Sequence, residues 1–345
     1  MSTTPTTSTT TTTPRPCFAP RRFGHVNVYV GDLRAADEFY RGALGIALAF
    51  DEPGVAARFL SNGNTHHDIA LMQASDRELA GRDGRVQKSS ERGRRPGLNH
   101  IAFETPTEAG LVEGHRRALE RSVTIHRCFD HVVSRSVYLP DPDGNEIELY
   151  ADTDSDWREL LDRHEGELIT SVWDPQAEVS PSPDPHHPTH VDHRPVPDAP
   201  VQPVRAAGAT IVVASLDRAI EHYEDVVGLT VTDRDHQGWA VMSGSLGLAD
   251  LLLISLDAAR VDGAEVAGFH HASFEMADPD AVDRAEHDLP GLGVAVERSV
   301  SHPAKRFLTV RDPDGRAVEL FARPDGHDSA ERRSLARVAG VTSVL

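Results

Sequence analysis

Cysteine is scarce in this 345-residue sequence. Only Cys17 and Cys128 are present, far apart in the chain, so the sequence predicts no disulfide framework and fits a reducing cytoplasm. Apolar runs long enough to span a bilayer are also missing. The start, residues 1–16, is rich in Thr and Pro and lacks the apolar segment of a secretory signal. These absences favour a cytoplasmic protein with no membrane partner.

Basic residues are few compared with acidic ones. The sequence has 35 Lys and Arg against 54 Asp and Glu, which gives a formal net charge of −19. This balance argues against binding to a nucleic-acid backbone or to an anionic membrane surface, and its simplest interpretation is solubility. The length is sufficient for two ordinary domains, each with its own core.

A turn followed by a strand occurs twice. The first copy runs from Asp141 to Tyr150 and the second from Asp312 to Phe321, and both begin with Asp-Pro-Asp-Gly. Proline presets φ, aspartate side chains bond to the local backbone and glycine tolerates positive φ, so these four residues predict a turn. In the first copy, polar and apolar residues then alternate as in a half-buried strand. The repetition indicates an internal duplication.

The segments before each turn predict the same succession of elements. A β-branched strand at 24–30 precedes a helix that begins after the cap Asp32 and stops at Gly45, and further short strands follow. The pattern restarts near residues 98, 208 and 270. Four β-α-β-β-β units in two pairs predict an α+β fold with two domains. Each pair is expected to curl into a half-open barrel whose cavity takes a ligand.

Composition sets the expected boundaries between these parts. We predict a disordered Thr-rich tail at 1–20, a first domain at 21–155, a Pro- and His-rich linker at 175–203, a second domain at 204–325 and a C-terminal tail at 326–345. A charged, Gly-rich insertion at 75–96 interrupts the first domain and predicts a loop or a partly helical segment.

The two domains differ at the positions that could carry chemistry. A gap-free alignment pairs His100 with His271, His131 with His302 and Glu148 with Glu319, but it sets His25 opposite Gly208, His67 opposite Ala249 and Tyr138 opposite Thr309. The first domain therefore has His25, His100 and Glu148 at corresponding points of its strands. Two imidazoles and one carboxylate are the ligands of a facial triad around divalent iron, and they also suit Mn or Zn. One such histidine alone is more often structural; the repeated placement favours a metal site.

Several motifs of the first domain are shared with a known family. They are Gly24-His25-Val26-Asn27, His67-Asp68-Ile69-Ala70-Leu71, Asn99-His100-Ile101-Ala102-Phe103, Asp130-His131 and the segment Asp141 to Tyr150. With these motifs the sequence resembles the vicinal oxygen chelate superfamily, which has a glyoxalase-like fold. Within it, the sequence resembles the type I extradiol dioxygenases, the catechol 2,3-dioxygenase-like proteins. The resemblance covers about residues 23–155 and, more weakly, 205–323.

This resemblance implies an Fe(II)-dependent extradiol ring-cleaving dioxygenase. It implies that His25, His100 and Glu148 hold Fe(II), less often Mn(II), in a catalytic metal-binding domain, and that the second domain is degenerate. The implied partners are a small aromatic diol, which binds the metal through both oxygens, and O2. A homo-oligomer is expected as well.

The resemblance also implies three catalytic residues beside the metal. His67 corresponds to the acid/base, Tyr138 to a residue that bonds the substrate oxygen, and His131 to a further histidine of the site. A catechol needs a proton acceptor near neutral pH, which imidazole supplies. The phenol and the second imidazole can stabilise charge that develops on oxygen.

Alternatives and departures follow from the same residues. In the familiar two-domain relatives the second domain carries the metal, whereas here the first does. An isomerase of this fold would need a fourth ligand near Phe59 or Leu71, and a thiol transferase would lack the pair His67 and Tyr138. A metal-free protein that sequesters an aromatic compound is disfavoured, because buried polar groups without a role cost stability. At most one of His66 and His67 is expected to face the cavity, because neighbours in a strand point to opposite faces. The resemblance favours His67, and His66 is expected to be solvent-exposed or in a substrate-access loop.

Overall fold

The computed structural model describes residues 15–52, 54–236, 238–260, 263–323 and 329–345. Its described part contains two large mixed sheets and a short hairpin. The strands of the first half are β1 (Arg22–Val30), β2 (Ala47–Glu52), β3 (Ala57–Ser61), β4 (Ile69–Gln73), β5 (Leu79–Ala80), β6 (Val86–Lys88), β7 (Gly97–Glu104), β8 (Arg127–Asp130), β9 (Ser134–Pro140), β10 (Glu146–Asp152) and β11 (Ser171–Val172).

The second half repeats the arrangement after a long connection. Its strands are β12 (Arg205–Val213), β13 (Thr230–Asp235), β14 (Trp239–Ser243), β15 (Leu251–Ser255), β16 (Gly268–Glu275), β17 (Val296–His302), β18 (Lys305–Arg311) and β19 (Ala317–Ala322). The strand order is β11-β8-β9-β10-β7-β1-β4-β3-β2 in the first sheet and β13-β14-β15-β12-β16-β19-β18-β17 in the second.

The helices are α1 (Leu33–Asp37), which continues as a π-helical segment Glu38–Ala43, α2 (Glu108–Glu120), α3 (Trp157–Arg163), α4 (Leu216–His222), which continues as Tyr223–Val227, α5 (Leu256–Ala259), α6 (Pro279–Asp288) and α7 (Ser329–Ala339). Of these, α1, α2, α4 and α6 connect the first and second strands of the four units. The units β1-α1-β2-β3-β4, β7-α2-β8-β9-β10, β12-α4-β13-β14-β15 and β16-α6-β17-β18-β19 confirm the predicted α+β fold of paired β-α-β-β-β units in half-open barrels.

The predicted local signals account for the start of the first unit. Asp32 adopts extended backbone and its side chain accepts hydrogen bonds from the backbone N–H groups of Arg34 and Ala35, as an N-cap does. Strand β1 is buried along its whole length. It lies between β7 and β4 at the centre of the first sheet, so its side chains contact both the core and the cavity.

The two halves are joined by reciprocal hydrogen bonds. Asp68 of the first half accepts a hydrogen bond from the backbone N–H of Ala206, at 2.7 Å. Asp250 of the second half accepts one from the backbone N–H of Phe23, also at 2.7 Å. Both carboxylates are buried. Each half thus holds the first strand of the other.

Both chain ends differ from the expected tails. Residues 1–14 lie outside the described residues, but residues 15–20 pack against the protein: Cys17 and Phe18 are fully buried, and their N–H groups bond to the carbonyls of Asp225 and Val226. At the other end, α7 follows the second sheet, and Leu345 is buried. Apolar side chains in both segments are buried in the folded protein, which composition alone did not indicate.

The connection at 175–203 contains no helix or strand, in keeping with its Pro-rich sequence. It is nevertheless held to the first half. Ser182 N–H donates to Glu108 at 3.0 Å, and Asp192 forms an ion pair with Arg158 at 2.7 Å. Within the described residues, the helices are all too short or too polar to cross a bilayer.

Candidate metal centre and its pocket

Three neighbouring strands of the first sheet carry the candidate ligands on one face. Strand β7 lies between β1 and β10. His25 of β1 and Glu148 of β10 are both paired with Ala102 of β7, and His100 lies two residues before Ala102. Because residues two apart in a strand share a face, this register brings the three predicted ligands together.

The three side chains converge on one buried point. Nε2 of His25 lies 2.9 Å from Oε2 of Glu148, and Nε2 of His100 lies 2.8 Å from the same oxygen. The three ligand atoms, one from each residue, all lie within 4.8 Å of one another. Nε2 of His100 is buried. Although it lies 2.8 Å from Oε2 of Glu148, the angles do not allow a hydrogen bond. A buried nitrogen left in this way is suited to a metal, and the donor set fits a divalent ion with three protein ligands.

The protonation states also suit a cation. Burial raises the pKa of Glu148, but the neighbouring His100 and His25 outweigh burial and hold this pKa well below its usual range. Burial lowers the pKa of His25 to about 4, although Glu148 acts in the opposite direction. An ionised carboxylate beside neutral imidazole is the form in which these groups bind metals.

Tyr138 and His131 extend this cluster through hydrogen bonds. Tyr138 of β9 is paired with Glu148 of β10, and its hydroxyl donates to Oε1 of Glu148 at 2.9 Å. Nε2 of His131 lies 2.9 Å from the same hydroxyl. Burial, followed by the charge of Glu148, raises the pKa of Tyr138 well above its usual value, so the phenol keeps its proton.

His67 lies against the ligand His25. Their ring centroids are 3.8 Å apart, and Nε2 of His67 is 2.9 Å from Oδ1 of Asn27. Burial lowers the pKa of His67 well below its usual value, so this imidazole is neutral and able to accept a proton. The three predicted catalytic residues and the predicted ligands His100 and Glu148 therefore line one cavity, and His25 lies behind its wall, against His67.

The prediction that at most one of His66 and His67 faces the cavity is wrong, and His66 is buried instead of solvent-exposed. Residues 63–66 form a bend, and β4 begins only at Ile69, so the alternation of a strand does not apply to His66 and His67. Both side chains are buried and line the pocket. Nδ1 of His66 lies 3.3 Å from Oδ1 of Asp152.

The cluster forms one wall of a pocket whose space, including the open solvent at its mouth, is about 990 Å³. His67, His100, His131, Tyr138 and Glu148 all contribute to it. The rest of the wall is largely apolar and includes Phe50, Val55, Phe59, Leu79, Val133, Leu161, Leu168 and Ile169. Such a wall suits a ligand with an apolar ring system.

The insertion at 75–96 contributes to this pocket. It contains the hairpin β5–β6 instead of a helix, and Leu79, Gln87 and Lys88 line the cavity. The hairpin is fastened to the segment before β11, because Arg82 N–H donates to the carbonyl of Thr170 at 2.8 Å. The insertion therefore covers the pocket.

In the second half, the space that corresponds to the candidate metal centre contains the side chain of a lysine. Lys305 Nζ lies 2.6 Å from Oε1 of Glu319, and both side chains are almost fully buried. His271 is 4.0 Å from the same carboxylate. A Cβ atom on Gly208, the counterpart of His25, would lie 2.8 Å from Cδ2 of Leu345. The second half is thus filled by its own side chains at the site where the first half collects ligands.

Sequence reasoning missed three residues around the site. Asn27 bonds to His67, and Thr170 Oγ1 lies 3.0 Å from Nδ1 of His131. Glu52, at the end of β2, lies 3.1 Å from Thr170 Oγ1 and lines the pocket. Asn27 could have been found from its place two residues after His25, on the same strand face. No local pattern marks Thr170 or Glu52.

Fold and site together define a protein of paired β-α-β-β-β units with a candidate His/Glu metal centre in its first half. The family model of the Glyoxalase/Bleomycin resistance protein/Dioxygenase superfamily matches residues 22–149 and 205–320. The chain belongs to this superfamily. The resemblance drawn from the sequence motifs is thereby confirmed.

Dioxygenases of aromatic diols are among the similar proteins. Biphenyl-2,3-diol 1,2-dioxygenase 3 of Rhodococcus globerulus is 27% identical over 150 residues, which are 44% of this chain and 73% of that protein. Homoprotocatechuate 2,3-dioxygenase of Arthrobacter globiformis superposes with a TM-score of 0.62 at 16% identity, over 91% of this chain and 84% of that one. The Mn(II)-bound glyoxalase of Novosphingobium aromaticivorans gives 0.61 at 13% identity, over 88% and 82%. At these identities the structures establish the fold alone.

Proposed function

We propose that the protein is an Fe(II)-dependent extradiol dioxygenase that opens the ring of a catechol-type aromatic with O2, with Mn(II) as the alternative metal. The observation that carries this proposal is the convergence of His25, His100 and Glu148 beside a pocket that also contains His67 and Tyr138. The similarity to a biphenyl-2,3-diol dioxygenase supports the same reaction class.

His25, His100 and Glu148 would hold the metal, and Asn99 helps to orient one of them. Oδ1 of Asn99 lies 3.2 Å from Nδ1 of His100, and a hydrogen bond there leaves Nε2 to face Glu148. When bound, a divalent iron with three protein ligands keeps open positions for both diol oxygens and O2. The protein's own contribution is to hold this geometry in a buried site.

The remaining polar residues of the pocket handle protons. Neutral His67 takes a proton from a diol hydroxyl, because its lowered pKa and its bond to Asn27 keep the ring uncharged and fixed. Tyr138 keeps its phenolic proton and offers a hydrogen bond to oxygen beside Glu148. His131, bonded to Tyr138, supports that donor.

The apolar wall of the pocket favours diols that carry an apolar substituent. Phe50, Phe59, Val133 and Leu161 surround the space beyond the polar cluster, and an aryl or alkyl group there would leave water. We expect kcat/KM to be higher for aryl- or alkyl-substituted catechols than for catechol itself. The chain's fold alone does not select this substrate class; the side chains of the wall do.

The test is metal analysis of anaerobically purified protein, followed by oxygen uptake with a panel of catechols. About one iron per chain, one O2 consumed per diol and a yellow ring-opened product are expected. Iron without oxygen uptake on any diol would overturn the dioxygenase proposal in favour of another metal-dependent reaction. Failure to bind any metal after reconstitution would favour a binding protein.

A further inference from the structure

A chain of hydrogen bonds leads from the candidate ligand Glu148 to the far side of the pocket. Tyr138 donates to Glu148 at 2.9 Å, and His131 Nε2 lies 2.9 Å from the Tyr138 hydroxyl. On its other side, His131 Nδ1 lies 3.0 Å from Thr170 Oγ1, which lies 3.1 Å from Oε1 of Glu52. The chain therefore joins two buried carboxyl groups through three bridging side chains.

The number of protons on each bridging side chain determines which group donates in each hydrogen bond. Glu148 as a metal ligand is ionised and can only accept, so the single hydroxyl proton of Tyr138 points to it. His131 must then donate to Tyr138 from Nε2. The proton count on the other side depends on Glu52, because Thr170 also owns only one hydroxyl proton.

Two arrangements satisfy every bond. If Glu52 is ionised, Thr170 donates to it, and His131 must donate to Thr170 from Nδ1 and become an imidazolium. If Glu52 carries the proton, it donates to Thr170, Thr170 donates to Nδ1, and His131 is neutral. The two arrangements contain the same number of protons and differ only in where these lie. With an ionised Glu52 and a neutral His131, one proton is missing, and either Thr170–Glu52 or Thr170–His131 would lose its hydrogen bond.

The surroundings favour the neutral arrangement. Glu52 is buried, and among the described residues its hydrogen-bond partners are Ile169 N–H, at 3.2 Å, and Thr170, with no basic side chain. A protonated Oε1 keeps a lone pair for Ile169. Separating charge between Glu52 and His131 would bury two ions that do not touch, which is strongly unfavourable because both lose their hydration. In agreement, burial raises the pKa of Glu52 to about 7 and lowers that of His131 to about 4.

We infer that Glu52 is a protonated carboxyl at rest and serves as the proton reserve of His131, at the end of a one-way chain Glu52, Thr170, His131. His131 lines the pocket. When it gives its Nε2 proton to oxygen there, Thr170 supplies Nδ1, and Glu52 resupplies Thr170. One proton leaves Glu52 and one arrives at oxygen, so Glu52 ends ionised and takes its next proton from solvent. The kinetic part of this inference rests on the proposed dioxygenase function; the protonation state does not.

The first test uses infrared spectroscopy of the metal-free protein at about pH 6, below the pKa of about 7 of Glu52. The C=O stretching band of a protonated carboxyl should be present, should vanish in Glu52→Gln and should shift in Thr170→Val, which removes the bonding partner. Thr170→Ser should restore its position. Glu159→Gln, on the exposed face of α3, should leave the band unchanged. Absence of the band, or its persistence in Glu52→Gln, would overturn the inference.

The second test is kinetic and uses the iron-loaded protein with a catechol that the wild type turns over. Glu52→Gln and Thr170→Val should lower kcat by about tenfold or more at unchanged metal content, with KM nearly constant, because they remove proton supply and not binding. Thr170→Ser should recover most of kcat. An unchanged kcat in Glu52→Gln would refute the reserve role even if the band is present. A wild type that consumes no O2 would refute the proposed function, while the infrared result would still decide the state of Glu52.

Discussion

Lys305 Nζ lies 2.6 Å from Glu319 Oε1. Glu319 occupies the strand position in the second half that the candidate ligand Glu148 occupies in the first. The buried ammonium satisfies a carboxylate that has lost one of its histidine neighbours, since Gly208 replaces the counterpart of His25. The second half thus has the counterpart of Glu148 but neutralises this carboxylate with a lysine side chain.

This pair makes Lys305→Met a strongly destabilising substitution. It leaves Glu319 buried without a cation, which typically costs about 3–5 kcal/mol of unfolding free energy. The double variant Lys305→Met, Glu319→Gln should recover most of the loss, because neither charge remains. Urea unfolding of the three proteins measures both effects. A loss below about 1 kcal/mol in the single variant would contradict the assignment.

The three candidate ligands should be separately required for metal binding. His25→Ala, His100→Ala and Glu148→Ala each remove a third of the ligand set, so iron content after anaerobic reconstitution should fall to near zero. The control is His126→Ala, an exposed histidine just before β8 that pairs with Glu146 outside the cluster. Full iron loading in any ligand variant would show that its side chain does not hold the metal.

His67→Ala should separate metal binding from turnover. The variant keeps all three ligands and should bind iron normally, but it loses the neutral imidazole that accepts the substrate proton. We expect kcat to fall by about a hundredfold or more, the usual size of general base catalysis. Steady-state oxygen uptake with the iron content measured in parallel gives the answer. Normal turnover would remove His67 from the mechanism.

Glu52 should make stability depend on pH. Its pKa is raised to about 7 by burial in the folded protein, whereas an unfolded Glu has about 4.3. Between these values the folded protein binds more protons than the unfolded chain, so stability falls as pH rises and levels off above about 7. Glu52→Gln lacks this loss. Its free energy of unfolding relative to wild type should therefore increase by up to about 3 kcal/mol between about pH 4.5 and pH 8, as followed by urea unfolding. A pH-independent difference would contradict the raised pKa.

Arg82→Ala should loosen the hairpin that covers the pocket. The Arg82 side chain forms an ion pair with Asp130 and bonds to the carbonyl of Ile169. Without these contacts, amide hydrogen exchange in residues 79–88 should become faster, while exchange in β1 stays slow. Arg34→Ala, which removes an exposed ion pair on α1, is the matched control. Unchanged exchange in the hairpin would show that other contacts hold it.

The fold could be predicted from the sequence because the signals that specify it are local and repeated. The Asp32 cap, the two Asp-Pro-Asp-Gly turns and the alternating strand after Gly144 each specify short pieces of backbone, and the duplication supplied their order. The ligands followed from the same repetition, since His25 and His100 occupy equivalent strands.

The errors arose where tertiary contacts decide. His66 was assigned to a strand that begins three residues later, at Ile69, so its direction was misjudged. Glu52 and Thr170 come from distant segments that meet only in the folded protein, and neither has a sequence neighbour that marks it. The burial of Leu345 depends on the space that Gly208 leaves in the second half, which no composition reveals.

The reciprocal bonds of Asp68 and Asp250 give the second half an evolutionary constraint of its own. Asp250 holds β1 at Phe23, two residues from His25, so the position of a candidate ligand depends on a carboxylate in the other half. A substitution at Asp250 is therefore constrained by the first half as well as by the second. Each half depends on one carboxylate of the other, and the two halves are constrained as a pair.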